Sequence, residues 1–122
     1  MRLIGAGSHV GIDYLIAILF AIGPSVAGFA GRQATFAYVL AAVLVILGLF
    51  TRAPLGMIKS VRFPLHGAVE LALAILVLIL PWLANFSAGV HSRNFFVLIG
   101  LLMLAIWFMT DFRGIRDRRA SP

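Results

Sequence analysis

The sequence contains no cysteine, and only four of its 122 residues are acidic. The lack of cysteine excludes disulfides, thiolate metal sites and cysteine nucleophiles. Charged residues make up 11% of the chain, whereas a soluble domain has about 25%. A nucleophile beside a base, a phosphate-binding loop, a zinc motif and a dinucleotide fingerprint are all missing, which argues against an enzyme without excluding one.

Apolar residues dominate instead. They make up 62% of the chain, and the mean hydropathy is +1.08. A small water-soluble domain buries only about two-thirds of the surface that its unfolded chain exposes, so it could not hide this many apolar side chains. We therefore expect an integral membrane protein whose apolar surface contacts the lipid bilayer.

Four continuous apolar runs predict four transmembrane helices. Each run has about 17–22 residues, close to the roughly 20 that a helix needs to cross the hydrocarbon core. We expect a single all-α transmembrane domain over residues 1–122, built as a four-helix bundle and ending in a basic tail over 112–122. The runs are His9–Ala30, Ala34–Thr51, Leu65–Phe86 and Asn94–Thr110.

The basic residues are distributed unevenly between the flanks of these runs. Two of the ten, Arg32 and Arg93, fall on one side of the membrane, and eight fall on the other. The excess of positive charge predicts that both termini and the middle loop are cytoplasmic. Aromatic residues are not interleaved with these charges, so nucleic-acid binding is not predicted. The eight are Arg2, Arg52, Lys59, Arg62, Arg113, Arg116, Arg118 and Arg119.

An internal repeat appears when the chain is shifted by 57 residues. The repeat unit is a hairpin of two helices, over about 9–52 and 66–111. A unit with two spans leaves both copies in the same orientation, so we expect parallel repeats related by a pseudo-twofold axis along the membrane normal. Phe50 and Thr51 also correspond to the region of Phe108 to Thr110 after two residues of slippage. The matched pairs are His9 with His66, Asp13 with Glu70, Pro24 with Pro81, Ala27 with Ala84, and Phe29 with Phe86.

Each half contains His-x-x-x-Asp or His-x-x-x-Glu, then an apolar run, a proline step and a phenylalanine. The proline steps are Gly23-Pro24-Ser25 and Leu80-Pro81-Trp82. This pattern resembles the SPW-repeat membrane proteins, small bacterial four-helix proteins named for a Ser-Pro-Trp step in each hairpin. The resemblance covers about residues 9–111. It implies two repeated hairpins and a membrane location, and it implies no activity.

Four ionisable residues form the candidate polar or ion site. His9 and Asp13 are four residues apart, as are His66 and Glu70, so each pair lies on one face of its helix. A carboxylate in hydrocarbon costs at least ~2.5 kcal/mol, so it normally faces the bundle interior and finds a partner. If the first and third helices pack together, we expect all four side chains to converge.

Three roles are open for these residues. The acids and histidines could simply pair and hold the hairpins in register, as in a structural or accessory component of the envelope, which is our leading hypothesis. Histidine titrates near neutrality, so a proton or cation pathway is an alternative. Two histidines and two carboxylates could also bind a transition metal, or two histidines a haem. The sequence favours no particular cofactor.

Other features concern helix shape and assembly. Pro24 and Pro81 each remove a backbone hydrogen bond, so we expect each to kink or end its helix. Small residues in the second run, such as Ala37, Ala41 and Gly48, allow close helix approach. A homo-oligomer or a larger membrane complex is therefore a plausible assembly.

Overall fold

The computed structural model describes residues 5–51 and 63–110, and these residues form four α-helices. The helices are α1 (Ala6–Ala27), α2 (Arg32–Leu49), α3 (Phe63–Leu83) and α4 (Val90–Met109). The predicted all-α class is confirmed for these residues. The largest difference from the predicted spans is at α4, which begins four residues before the predicted start at Asn94. The prediction missed this start because the first turn of α4 is polar. An apolar run indicates only the part of a helix that would contact lipid, and the helix itself can begin earlier. The predicted middle loop and basic tail lie outside the described residues.

All four helices are long and apolar enough to cross a membrane, as a multi-pass membrane protein requires. The four candidate spans have mean hydropathies of 1.8 to 2.0, and only 28–39% of each span is buried inside the bundle. The remaining surface presents large apolar side chains outward, among them Leu15, Val26 and Leu98. Contiguous apolar surface of this extent is unsuited to water and matches a lipid environment.

The helices pack as two hairpins, with α1 along α2 and α3 along α4. The hairpins meet most closely through α1 and α4, while α2 and α3 approach each other less closely. Gly23 makes the close approach feasible, because a Cβ added there would lie 2.3 Å from Cζ of Phe95. The core between the helices is apolar and includes Ile16, Phe20, Leu44, Val77, Phe96 and Met103.

The bundle has two distinct ends. At the turn end, residues 28–31 connect α1 to α2 and residues 84–89 connect α3 to α4. Just past α1 and α3, Gly28 (φ 78°) and Asn85 (φ 60°) adopt the left-handed conformation that glycine and asparagine tolerate best. Both prolines lie in the last turn of their helix, so they mark its end. Each proline carbonyl accepts a hydrogen bond from the backbone N–H five residues further along the chain. Phe29 donates to Pro24 (2.9 Å), and Phe86 donates to Pro81 (2.7 Å).

Candidate metal centre

The opposite end of the bundle, called here the site end, holds the four ionisable residues identified in the sequence. His9 and Asp13 lie on α1, and His66 and Glu70 lie on α3. All four side chains are 0% exposed. One ligand atom from each, either a histidine Nε2 or a carboxylate oxygen, lies within 4.8 Å of the others. The i,i+4 spacing aligns each pair on one face, and the packing of the hairpins brings the two pairs together.

Nitrogen and oxygen atoms alternate around this cluster. His9 Nε2 lies 3.2 Å from Asp13 Oδ2 and 2.8 Å from Glu70 Oε2. His66 Nε2 lies 2.8 Å from Asp13 Oδ2 and 2.7 Å from Glu70 Oε2. Each histidine therefore contacts the carboxylate of its own helix and that of the other hairpin. We call this closed set of four contacts the His–carboxylate ring.

A threonine of the other hairpin contacts the second nitrogen of each histidine. His9 Nδ1 lies 2.6 Å from Oγ1 of Thr110, just past the end of α4. His66 Nδ1 lies 2.7 Å from Oγ1 of Thr51, two residues past the end of α2. The hairpins are thus joined by the ring and by both threonines.

The direction of these hydrogen bonds follows from the threonine hydroxyls. Each hydroxyl donates to the carbonyl one turn earlier, Thr51 to Leu47 and Thr110 to Ile106. A hydroxyl has only one proton to donate, so the Nδ1–H must be the donor to Oγ1. In a neutral imidazole the Nε2 lone pair then points into the ring. A metal-binding histidine with its outer-shell partner has this arrangement.

Hydrogen bonds between the four side chains leave the cluster incompletely satisfied. Even if both Nε2 atoms are protonated, the ring has only two N–H donors for its four nitrogen–oxygen contacts. In addition, Asp13 Oδ1 and Glu70 Oε1 are buried and have no hydrogen-bond partner within the described parts of the chain. An unpartnered buried polar atom costs free energy. A metal ion at the centre would contact all four ring atoms at once.

The same geometry leaves little room for a haem. The two imidazole centroids are 5.5 Å apart, with their planes at 87°. Carboxylate oxygens of Asp13 and Glu70 lie between the two Nε2 atoms, within hydrogen-bonding distance of both. A porphyrin between the histidines would have to displace both carboxylates, so the arrangement fits a single ion better.

Aromatic side chains pack beside the site, and they come from different helices in the two hairpins. Tyr14 of α1 lies against Gly48 of α2, where an added Cβ would be 2.7 Å from the tyrosine Cε1. Trp107 of α4 donates its indole N–H to the carbonyl of Gly67 in α3, at 2.7 Å. This hydrogen bond anchors the backbone next to His66.

Apolar side chains separate the site from the turn end. Among the residues that the structure describes, Ser92 is the one buried polar side chain outside the cluster and its two threonines, and it lies in the first turn of α4. The space between is filled by the apolar core, including Ile16, Phe20, Val77 and Phe96. Within the described residues, no polar relay crosses the bundle.

Thr51 and Thr110 are the site residues that sequence reasoning did not assign. The repeat aligned Thr51 with the region of Thr110, but nothing in a run of apolar residues connected these threonines to the histidines. The available signal was a threonine at the same place in both repeats, just past the second helix.

Comparisons with protein-family models, with curated proteins and with solved structures found nothing that matches this chain. The resemblance to the SPW-repeat proteins therefore stays an expectation based on the proline steps and the repeated histidine–carboxylate motif. The function has to be argued from the geometry of the site.

Proposed function

We propose that this chain is a membrane protein that binds one divalent transition-metal ion between its two hairpins, through His9, Asp13, His66 and Glu70. The observation that carries this proposal is the His–carboxylate ring, with four contacts of 2.7–3.2 Å, fully buried side chains and both Nδ1 atoms hydrogen-bonded to threonine. The threonine bonds orient both Nε2 atoms toward the centre of the ring, where an ion would lie.

Charge balance supports a divalent ion. Two carboxylates and two neutral imidazoles carry a charge of −2, so a divalent cation makes the buried site neutral. A monovalent or trivalent ion would leave one uncompensated charge in a low-dielectric interior, which is costly. The mixture of imidazole and carboxylate favours a transition metal over Ca²⁺ or Mg²⁺, which prefer oxygen ligands.

The surroundings support binding more than conduction. The apolar core separates the site from the turn end, so an ion reaching the ring would enter and leave at the site end. Because both hairpins supply ligands, a bound ion would also fasten them together. Metal binding and a structural or accessory role in the envelope are therefore compatible.

A second candidate function is purely structural. The ring distances are also those of hydrogen bonds, so two imidazolium–carboxylate pairs could hold the hairpins in register without any metal. This alternative leaves Asp13 Oδ1 and Glu70 Oε1 without partners, and that is why we rank it second.

We further propose a location in the bacterial inner membrane, with both termini and the site end facing the cytoplasm. The distribution of eight basic residues against two supports this orientation. The matched helix ends at Gly28 and Asn85, and the matched histidine–threonine bonds, support two parallel repeats. Reporter fusions at each terminus test the orientation, and an external C-terminus would overturn it.

The metal proposal is tested on the full chain purified in detergent. We expect elemental analysis to find one transition-metal ion per chain, which is lost in His9→Ala and His66→Ala. The matched control is His91→Ala, because His91 is exposed in the first turn of α4 and should not affect metal content. Folded wild-type protein that takes up no Mn²⁺, Fe²⁺, Co²⁺ or Zn²⁺ would contradict the proposal and leave the structural role.

A further inference from the structure

The two carboxylates each have one oxygen that the ring does not use. Asp13 Oδ2 and Glu70 Oε2 contact the histidines, while Asp13 Oδ1 and Glu70 Oε1 are buried without a hydrogen-bond partner within the described residues. A carboxylate that binds a metal through one oxygen is ordinarily hydrogen-bonded through the other. At this site that supporting bond is missing from both carboxylates.

We infer that the site holds its ion with six protein donors, namely the Nε2 atoms of His9 and His66 and both oxygens of each carboxylate. This inference rests on the proposed metal-binding function. Six donors of this kind suit Mn²⁺ or Fe²⁺, whereas structural Zn²⁺ sites are almost always four-coordinate. Bidentate binding also gives a partner to each buried oxygen that now lacks one.

The spacing of the ring atoms agrees with six-coordination. With bonds of about 2.0–2.1 Å, neighbouring ligands lie about 3.4 Å apart in a tetrahedron and about 2.9 Å apart in an octahedron. The four nitrogen–oxygen distances are 2.7, 2.8, 2.8 and 3.2 Å. They are distributed around the octahedral value for neighbouring ligands, which agrees better with six-coordination than with a tetrahedron.

The burial of the site favours protein donors over water. All four ligand side chains are 0% exposed, and the apolar core lies on the turn-end side. A six-coordinate ion with monodentate carboxylates would need two water ligands. A site with bidentate carboxylates needs none, and this difference is measurable.

The first test uses Co²⁺ as a probe of coordination number in the purified full-length chain. We expect one Co²⁺ per chain with the weak visible absorption of a six-coordinate ion. The intense bands of tetrahedral Co²⁺ would overturn the six-donor inference while leaving the metal-binding proposal intact. Failure to bind Co²⁺ or Mn²⁺ would overturn the six-donor inference, and failure to bind Fe²⁺ and Zn²⁺ as well would overturn the metal-binding proposal.

The second test counts water ligands on bound Mn²⁺ by pulsed EPR in D₂O. We expect couplings to two imidazole nitrogens and none to the deuterons of a bound water. The strong deuteron coupling of a water bound directly to Mn²⁺ in the wild-type protein, distinct from the weaker coupling of the exchanged imidazole N–D groups, would overturn the inference. In Asp13→Asn, where the amide offers one oxygen, we expect one bound water to appear, and His91→Ala should match the wild type. If Asp13→Asn does not fold, the wild-type spectrum still decides the question.

Discussion

The two hairpins follow one plan, yet they differ in how they meet the site. Asp13 in the first repeat is one methylene shorter than Glu70 in the second. Within each helix the histidine–carboxylate distance differs accordingly, at 3.2 Å for His9 with Asp13 and 2.7 Å for His66 with Glu70. Between the hairpins the two distances are the same, at 2.8 Å. The symmetry of the ring is therefore a property of the interface between the hairpins.

Towards the turn end the repeats differ more. Gly23 lets Phe95 pack against α1, whereas the equivalent position in the second repeat is Leu80. Phe36, the residue equivalent to Phe95, stacks on Phe86 with centroids 6.1 Å apart. Phe95 likewise contacts Phe29 at 5.4 Å, so the repeats differ in the glycine and not in this ring contact. A leucine in place of glycine explains why α2 and α3 approach less closely than α1 and α4. The bundle is thus more closely packed between α1 and α4 than between α2 and α3.

Removal of a carboxylate from the ring should have the largest effect. Asp13→Ala or Glu70→Ala leaves a single carboxylate to partner two buried imidazoles, which should destabilise the fold by about 3–5 kcal/mol. We expect Glu70→Ala to be at least as damaging, because Glu70 makes the shorter contact within its helix. Unfolding in mixed micelles measures this, with His91→Ala as the control. A loss below about 1 kcal/mol in both variants would show that the ring does not hold the hairpins together.

Loss of the threonine hydroxyls should affect metal affinity in both repeats alike. Thr51→Val and Thr110→Val remove the acceptor for each Nδ1–H, and outer-shell changes of this kind cost about 10–100-fold in affinity. The histidine–threonine distances of 2.7 and 2.6 Å predict similar losses. Titration with Mn²⁺ followed by EPR measures the affinity. Replacement by serine at each position keeps the hydroxyl and should retain most of the metal affinity. A loss of affinity at only one of the two threonines would contradict the proposal that the two repeats support the site equally.

Gly23→Leu makes the first repeat resemble the second at the turn end. The added side chain must displace Phe95, and overpacking of this kind costs about 1–3 kcal/mol. The second change Phe95→Ala makes room for the leucine, so the double variant should lose less stability than the sum of the two single variants. Additive losses in mixed-micelle unfolding would argue against direct contact between positions 23 and 95.

The smallest change concerns the matched helix ends. Asn85 adopts the left-handed conformation (φ 60°) that Gly28 adopts in the first repeat. Because glycine has no Cβ, Asn85→Gly should be neutral or stabilise the protein by less than about 1 kcal/mol. Gly28→Val should instead destabilise it by about 1–2 kcal/mol. Valine at position 28 that causes no loss of stability, measured by unfolding, would contradict the assigned backbone conformation.

Much of the fold could be predicted from apolar runs and from the repeat. The four runs correspond to α1–α4 within a few residues, because a helix that crosses lipid must be apolar along its whole length. Helix ends were less predictable, since a polar first turn such as His91-Ser92-Arg93 remains helical. The difference in approach between the two helix pairs depends on Gly23 and its distant neighbour Phe95, which no local pattern connects.

The sequence by itself determined which residues could form a site. The spacing of His9 with Asp13 and of His66 with Glu70 follows from helical periodicity alone. Only the tertiary structure decided that these pairs close into one ring and that Thr51 and Thr110 support it from the opposite hairpins. Contacts across the bundle depend on the rotation and depth of each helix, and a continuously apolar sequence leaves both unspecified.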